Sequence, residues 1–240
     1  MEEKKQEFYA SLRFPVAFLI LIWAIHLVQV IGQMDFGYYG VYPRRMFGLK
    51  GILTSPLIHA DFAHLLSNSV PLLALGGMVF YFYRRVALRS FFMIYVLTGL
   101  AVWGLADKGF HIGASGVVYG LVTFVMGNGI FRRNVKSVVL GLIVLFFYSG
   151  IFVGVLPNQE GVSWESHLFG AFIGLFTSYF YKEEIEADEV KEEPSWANEP
   201  EEASEFFLPR DVFDKTKAQR EQDARDDDSS DPGWTSSSTL

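Results

Sequence analysis

Residues 113–131 read GASGVVYGLVTFVMGNGIF, one serine set among small residues at the head of a run without a single charge. A run of this kind approaches the roughly 20 apolar residues that a helix needs to cross a hydrocarbon core of about 30 Å. The span itself is read as about 114–131, and working outward five more such stretches lie at about 14–32, 65–83, 88–106, 135–156 and 163–181. Half of the 240 residues are hydrophobic and only a fifth are charged. In lipid every backbone donor and acceptor must be satisfied within the segment, so long, non-alternating runs are helices rather than barrel strands. The predicted fold class is therefore an all-α membrane protein, a bundle of six transmembrane helices spanning 14–182. The first run is read as a span and not as a cleavable signal peptide: it is long, opens with MEEKKQEFYASLR and lacks a small-residue cleavage site.

The net charge of −7 conceals two regions of opposite sign. Residues 1–182 hold 14 Lys and Arg against 8 Asp and Glu, whereas residues 183–240 hold 6 against 19. The acidic, Ser- and Pro-rich tail cannot bury enough apolar surface to offset its ordering entropy and is expected to be disordered. Its one apolar island, FFLPRDVF at 206–213, reads as a chance cluster. There is no cysteine, which excludes disulfide and thiol chemistry.

Basic residues in short loops mark the cytoplasmic side. Lys4, Lys5 and Arg13, the hinge Arg84, Arg85 and Arg89, the hinge Arg132, Arg133 and Lys136, and Lys182 all fall on one face. Both termini, including the segment 1–13, are thus expected in the cytoplasm of a multi-pass cell-membrane protein. Residues 33–64, 107–113 and 157–162 are expected outside. Ser115 and His167 then lie at similar depth, each near the start of a helix that enters from the outer face.

Polar side chains inside spans are costly and point to function. Serine becomes a useful nucleophile when a base takes its proton, and imidazole is suited to that task near neutral pH. Gly116 and Gly120 lie beside Ser115 and share a helical face with each other; Gly170 and Gly174 lie three and seven residues beyond His167 on its face. Bare faces let helices approach closely, which would bring hydroxyl and imidazole together. Tyr119, one turn from Ser115, is placed to pack on the imidazole. In HADFAHLLSN, His64 and Asn68 are four apart and share a face, where they could donate to an oxyanion together with the Ser115 amide. The plainer alternatives are helix packing for the glycines and serine, and capping for His64 and Asn68. His59 reads as a loop anchor, His26 as a satisfied packing residue and His111 as a loop residue.

Together GASGVVYG, SHLFGAFIG and HADFAHLLSN resemble the rhomboid family of intramembrane serine proteases. The motif order is H-x4-H-x3-N, G-x-S-G-x2-Y, H-x2-G-x3-G, over about residues 14–181. The resemblance implies a Ser115–His167 dyad without a carboxylate, with an oxyanion hole formed by His64, Asn68 and the Ser115 amide. Tyr119, Gly113, Gly116, Gly170 and Gly174 would orient and pack the base. It further implies a cavity open to the outside and a partly embedded first loop. Transmembrane protein substrates would enter laterally from the bilayer past the fifth helix and a cap near 157–162. YPRRMFG stands where some members carry a Trp-Arg pair, Ser166 where alanine often precedes the base, and Glu165 is an added carboxylate expected to point elsewhere.

Neither HExxH nor a pair of carboxylates within the spans is present, which sets aside metalloprotease and aspartyl protease readings. No cofactor, metal or nucleic-acid partner is expected. The alternatives are a catalytically silent binder of membrane clients and a transporter; the latter lacks a path of charged groups through the spans.

Overall fold

The structure, a computed structural model, describes residues 2–150, 154, 156, 163–184, 186 and 214–228. Two units divide the chain, Met1–Val190 and Lys191–Leu240.

In the first unit the apolar runs form helices. α1 covers Glu2–Ile31, so the segment expected to precede the first span is continuous with it. The first loop follows, with 3-10 turns at Gly37–Tyr39, Met46–Lys50 and Ser55–Leu57 and a short α2 at Gly51–Thr54. Then come α3 (Phe62–Phe82), α4 (Ala87–Leu105), α5 (Ser115–Phe131), α6 (Val135–Phe147) and α7 (Trp164–Phe180).

Among the described residues three helices are long and apolar enough to cross a membrane: Lys4–Ile31 within α1, together with α3 and α4. α5 and α7, of 17 residues each, follow the runs expected at 114–131 and 163–181 to within one or two residues, whereas α6 has 13. The largest departure is α6, expected to reach 156 and capped at Tyr148, where the backbone leaves helical geometry. α5 lies at the centre of the bundle. It packs against α3, α4, α6 and α7 and is buried almost all round, from Gly116 to Asn128. A helix hydrophobic on every side and enclosed by neighbours has little lipid to face. By contrast α1 and α6 leave large apolar side chains uncovered, among them Ile20, Leu21, Phe146 and Phe147.

Polar anchors fix the peripheral helices. Trp23 on α1 donates its indole N–H to Ser69 on α3 at 3.0 Å, and Gln29 donates to the His59 carbonyl at 3.2 Å. The first loop is tied down through its backbone: Val41 and His111 exchange two N–H···O bonds of 2.9 Å in an isolated antiparallel bridge. Arg44 donates its N–H to the Trp103 carbonyl and Trp103 returns its indole N–H to the Arg45 carbonyl. YPRRMFG is therefore held by main-chain groups, with α4 supplying the tryptophan.

At the opposite end of the bundle the guanidinium of Arg84 grips Glu7 through two bonds of 2.8 Å. Arg89 pairs with Glu184, Arg132 donates to the Glu184 carbonyl at 3.0 Å, and the Arg85 N–H reaches Glu186 at 2.9 Å. The tail expected to begin at 183 thus stays attached to the bundle as far as Glu186.

In the second unit α8 covers Lys217–Asp228, so these residues of the expected disordered tail form a helix. The local cause is a capping box. Thr216 Oγ1 accepts from the Gln219 N–H, and Gln219 reaches back to the Thr216 N–H at 2.9 Å. Most of 183–240, including FFLPRDVF, lies outside the described residues.

Candidate active site

Gly113 and Ser115 open α5 through a turn that its neighbours dictate. Gly113 adopts φ +104°, accessible mainly to glycine, and a Cβ there would meet the His64 ring at 2.6 Å. Its N–H is taken by the Ser55 carbonyl at 2.8 Å. The next N–H, of Ala114, reaches His59 Nε2 at 3.4 Å. Ala114 then occupies the N-cap without offering a side-chain cap. The first amides of α5, including that of Ser115, are therefore at a helix N-terminus, where negative charge is stabilised.

α5 and α7 meet through their glycine faces. A Cβ on Gly170 would collide with the Gly116 carbonyl, and one on Gly174 with the Gly120 carbonyl. Thr123 adds a hydrogen bond of 2.8 Å to the Ala171 carbonyl. This approach brings Tyr119 and His167 face to face: their rings stack with centroids 4.1 Å apart and planes 5° from parallel. His167 Nδ1 lies 2.8 Å from the carbonyl of Gly154. A carbonyl can only accept, so Nδ1 carries the proton and Nε2 keeps its lone pair. Residue 154 must itself be small, because a Cβ there would strike the Tyr119 hydroxyl.

Ser115, His167, Tyr119, His64 and Asn68 line one cavity of about 1450 Å³, with Gly154, Ser163, Glu165, Lys108 and His111 also on its wall. Among the described residues neither the Ser115 hydroxyl nor His167 Nε2 makes a hydrogen bond, and catalytic contacts of this type often tighten only with substrate. Asn68 is buried and spends one amide N–H on the His64 carbonyl at 2.7 Å, leaving a second N–H for another acceptor.

Several residues sit otherwise than expected. Glu165, expected to point away, lines the cavity and accepts the Asp107 N–H at 3.4 Å. His26 is packed edge-on against Phe62, with centroids 4.7 Å apart, but among the described residues it is not satisfied: both ring nitrogens are buried and find no hydrogen-bond partner there. His59 anchors more than its own loop, since its ring bears on the α5 turn. Burial first, and then the neighbouring His64 and His26, push its pKa down to about 3, which keeps Nε2 available as an acceptor. His111 is a junction rather than a plain loop residue.

Gly154 and His59 carry orienting contacts that the motifs alone did not assign. His59 left a trace, as the first histidine of HADFAH; Gly154 left none, because any residue can supply a carbonyl. The cap expected near 157–162 lies outside the described residues.

A family model described as Rhomboid domain matches residues 47–184. The chain is also similar to an uncharacterized protein of Mycobacterium tuberculosis, 34% identical over 173 residues that make up 68% of this chain and 72% of the relative. A counterpart in Mycobacterium bovis matches to the same extent. One in Mycobacterium leprae is 30% identical over 177 residues, 68% of each chain.

Proposed function

The chain belongs to the rhomboid family, and from that premise we propose that it is an intramembrane serine endopeptidase acting on transmembrane-anchored proteins. The observation that carries this reading is the cavity that Ser115 and His167 share with His64 and Asn68, with the imidazole oriented by Tyr119 and Gly154. Ser115 Oγ attacks the scissile carbonyl carbon while its proton passes to His167 Nε2. The oxyanion is received by the Ser115 amide, the free N–H of Asn68 and His64. Collapse breaks the C–N bond, and the leaving amine takes the proton from His167. Water, deprotonated by the same imidazole, then attacks the acyl ester, releases the second product and restores Ser115.

In this reading α1 and α3 to α7 form six passes, both termini are cytoplasmic, and the cavity opens to the outer face of the cell membrane. The first loop is partly embedded, and substrates arrive laterally past α6. The exposed aromatic end of α6, at Phe146 and Phe147, is compatible with such a lipid-facing gate.

A second reading, a silent binder of membrane clients, draws on the lack, among the described residues, of a hydrogen bond at Ser115 Oγ and on the engagement of one Asn68 N–H within its own helix. Reconstitution in liposomes with a single-span reporter separates the two. Cleavage is expected to stop in Ser115→Ala while reporter binding persists, and fluorophosphonate labelling of the parent is expected to vanish in His167→Ala. Cleavage by Ser115→Ala at the parental rate would overturn the enzyme reading.

A further inference from the structure

Four residues before Ser115, His111 joins three separate elements. Its backbone forms the two-bond bridge to Val41 in the first loop. Its Nε2 lies 3.1 Å from the Asp107 carbonyl, which closes the turn 107–111. Its Nδ1 lies 2.6 Å from Ser163 Oγ, and Ser163 Oγ lies 2.6 Å from Ser166 Oγ. Ser163 is the N-cap of α7, Ser166 directly precedes His167, and the Ser166 N–H also turns toward Ser163 Oγ at 3.4 Å.

The hydrogens follow from the acceptors. The Asp107 carbonyl can only accept, so Nε2 is the protonated nitrogen and Nδ1 accepts from the Ser163 hydroxyl. The Ser163 oxygen is then free to accept from Ser166. The chain Ser166, Ser163, His111 thus runs in one direction from the helix bearing the base to the turn that leads into the nucleophile. The close-packed contact of Gly116 with Gly170 fixes the spacing of α5 and α7, but glycine faces can slide and rotate. A directional hydrogen-bond chain at the mouth resists both motions.

We propose that His111 is a positioning residue for this site: through Ser163 and Ser166 it fastens the start of α7 to the 107–113 turn and so sets His167 against Ser115. The proposal rests on the serine endopeptidase reading above. A displacement of about 1 Å at reacting groups can cost on the order of a hundredfold in rate. Losing the tether is therefore expected to lower the rate of the chemical step with little change in substrate affinity.

The test uses the full-length protein in liposomes, with the rate of Ser115 fluorophosphonate labelling and the kcat and KM for a single-span reporter as readouts. His111→Ala is expected to lose about tenfold to a hundredfold in labelling rate and kcat at unchanged KM. His111→Asn places its amide oxygen near the position of Nδ1 and is expected to recover most of the loss. His111→Gln carries its amide toward the position of Nε2 and is expected not to. In a Ser163→Ala background, His111→Ala is expected to add no further loss, because the two act through one bond. If His111→Ala does not fold, the Asn and Gln pair decides alone. Parental labelling and kcat in both His111→Ala and His111→Gln, or equal values for Asn and Gln, would overturn the proposal. A parent that is neither labelled nor active would instead defeat the endopeptidase reading on which it rests.

Discussion

Tyr119 lies flat on His167, ring planes 5° apart at a centroid distance of 4.1 Å, while the carbonyl of Gly154 holds the Nδ1 proton. The stack restrains the imidazole's tilt and the hydrogen bond its rotation, so the lone pair of Nε2 is left to the cavity. Tyr119→Phe retains the ring and is expected to keep kcat within a few-fold of the parent. Tyr119→Ala removes the stack and is expected to lower kcat by about tenfold or more, as loss of a positioned catalytic group's orientation does. Equal kcat for the alanine and phenylalanine variants would remove any orienting role from the ring.

Gly154 is expected to tolerate no side chain, because a Cβ there meets the Tyr119 hydroxyl and lies 3.3 Å from His167 Nδ1. Gly154→Val should therefore lose activity while leaving the bundle's thermal stability near that of the parent, since residue 154 lies outside the named helices. Retained cleavage in a well-folded Gly154→Val protein would show that the His167 ring needs no such support.

Removing an oxyanion donor typically costs about 10²–10³ in kcat. Asn68→Ala and His64→Ala are each expected to fall in that range, with KM little changed, when assayed on the liposome reporter. Asn68→Asp, which keeps the size but removes both amide donors, should be no better than alanine. An aspartate variant with parental kcat would exclude Asn68 from transition-state stabilisation.

The α5 and α7 contact is a matter of missing atoms. Gly170→Leu or Gly174→Leu would drive a side chain into the carbonyl of Gly116 or Gly120. Overpacking of this kind costs about 1–3 kcal/mol or more. Both variants are expected to lower the melting temperature in detergent, whereas Ala at the exposed Phe172 or Phe176 should shift it much less.

His59 makes stability depend on pH. Its folded pKa lies near 3, below the ordinary value of 6.5. Between those values the unfolded chain binds the extra proton, so the stability that His59 contributes is present above about pH 6.5 and is lost as pH falls toward 3. The melting temperature of the parent is expected to decline over that window, and His59→Gln to flatten the decline. An identical pH dependence in the two proteins would refute this assignment.

The sequence by itself determined the helical class, because runs such as 113–131 leave lipid no other way to satisfy the backbone. It also singled out the candidate site: an isolated serine, histidine and asparagine in apolar surroundings, framed by glycines at helical spacing, are local signals that a sequence displays directly, and the fold brings them to one cavity. What needed the tertiary structure was everything that depends on a carbonyl or on relative helix position. The Gly154 contact to His167, the His59 contact to the Ala114 amide and the His111 to Ser163 chain all join residues far apart in sequence through groups that composition does not mark. The central place of α5 was hidden for a related reason, since enclosure by four neighbouring helices, and not hydropathy, decides how little of a helix is left uncovered. The helix at Lys217–Asp228 was masked by its acidity: net charge describes solvation, while a capping box and a run of good helix formers act over a single turn.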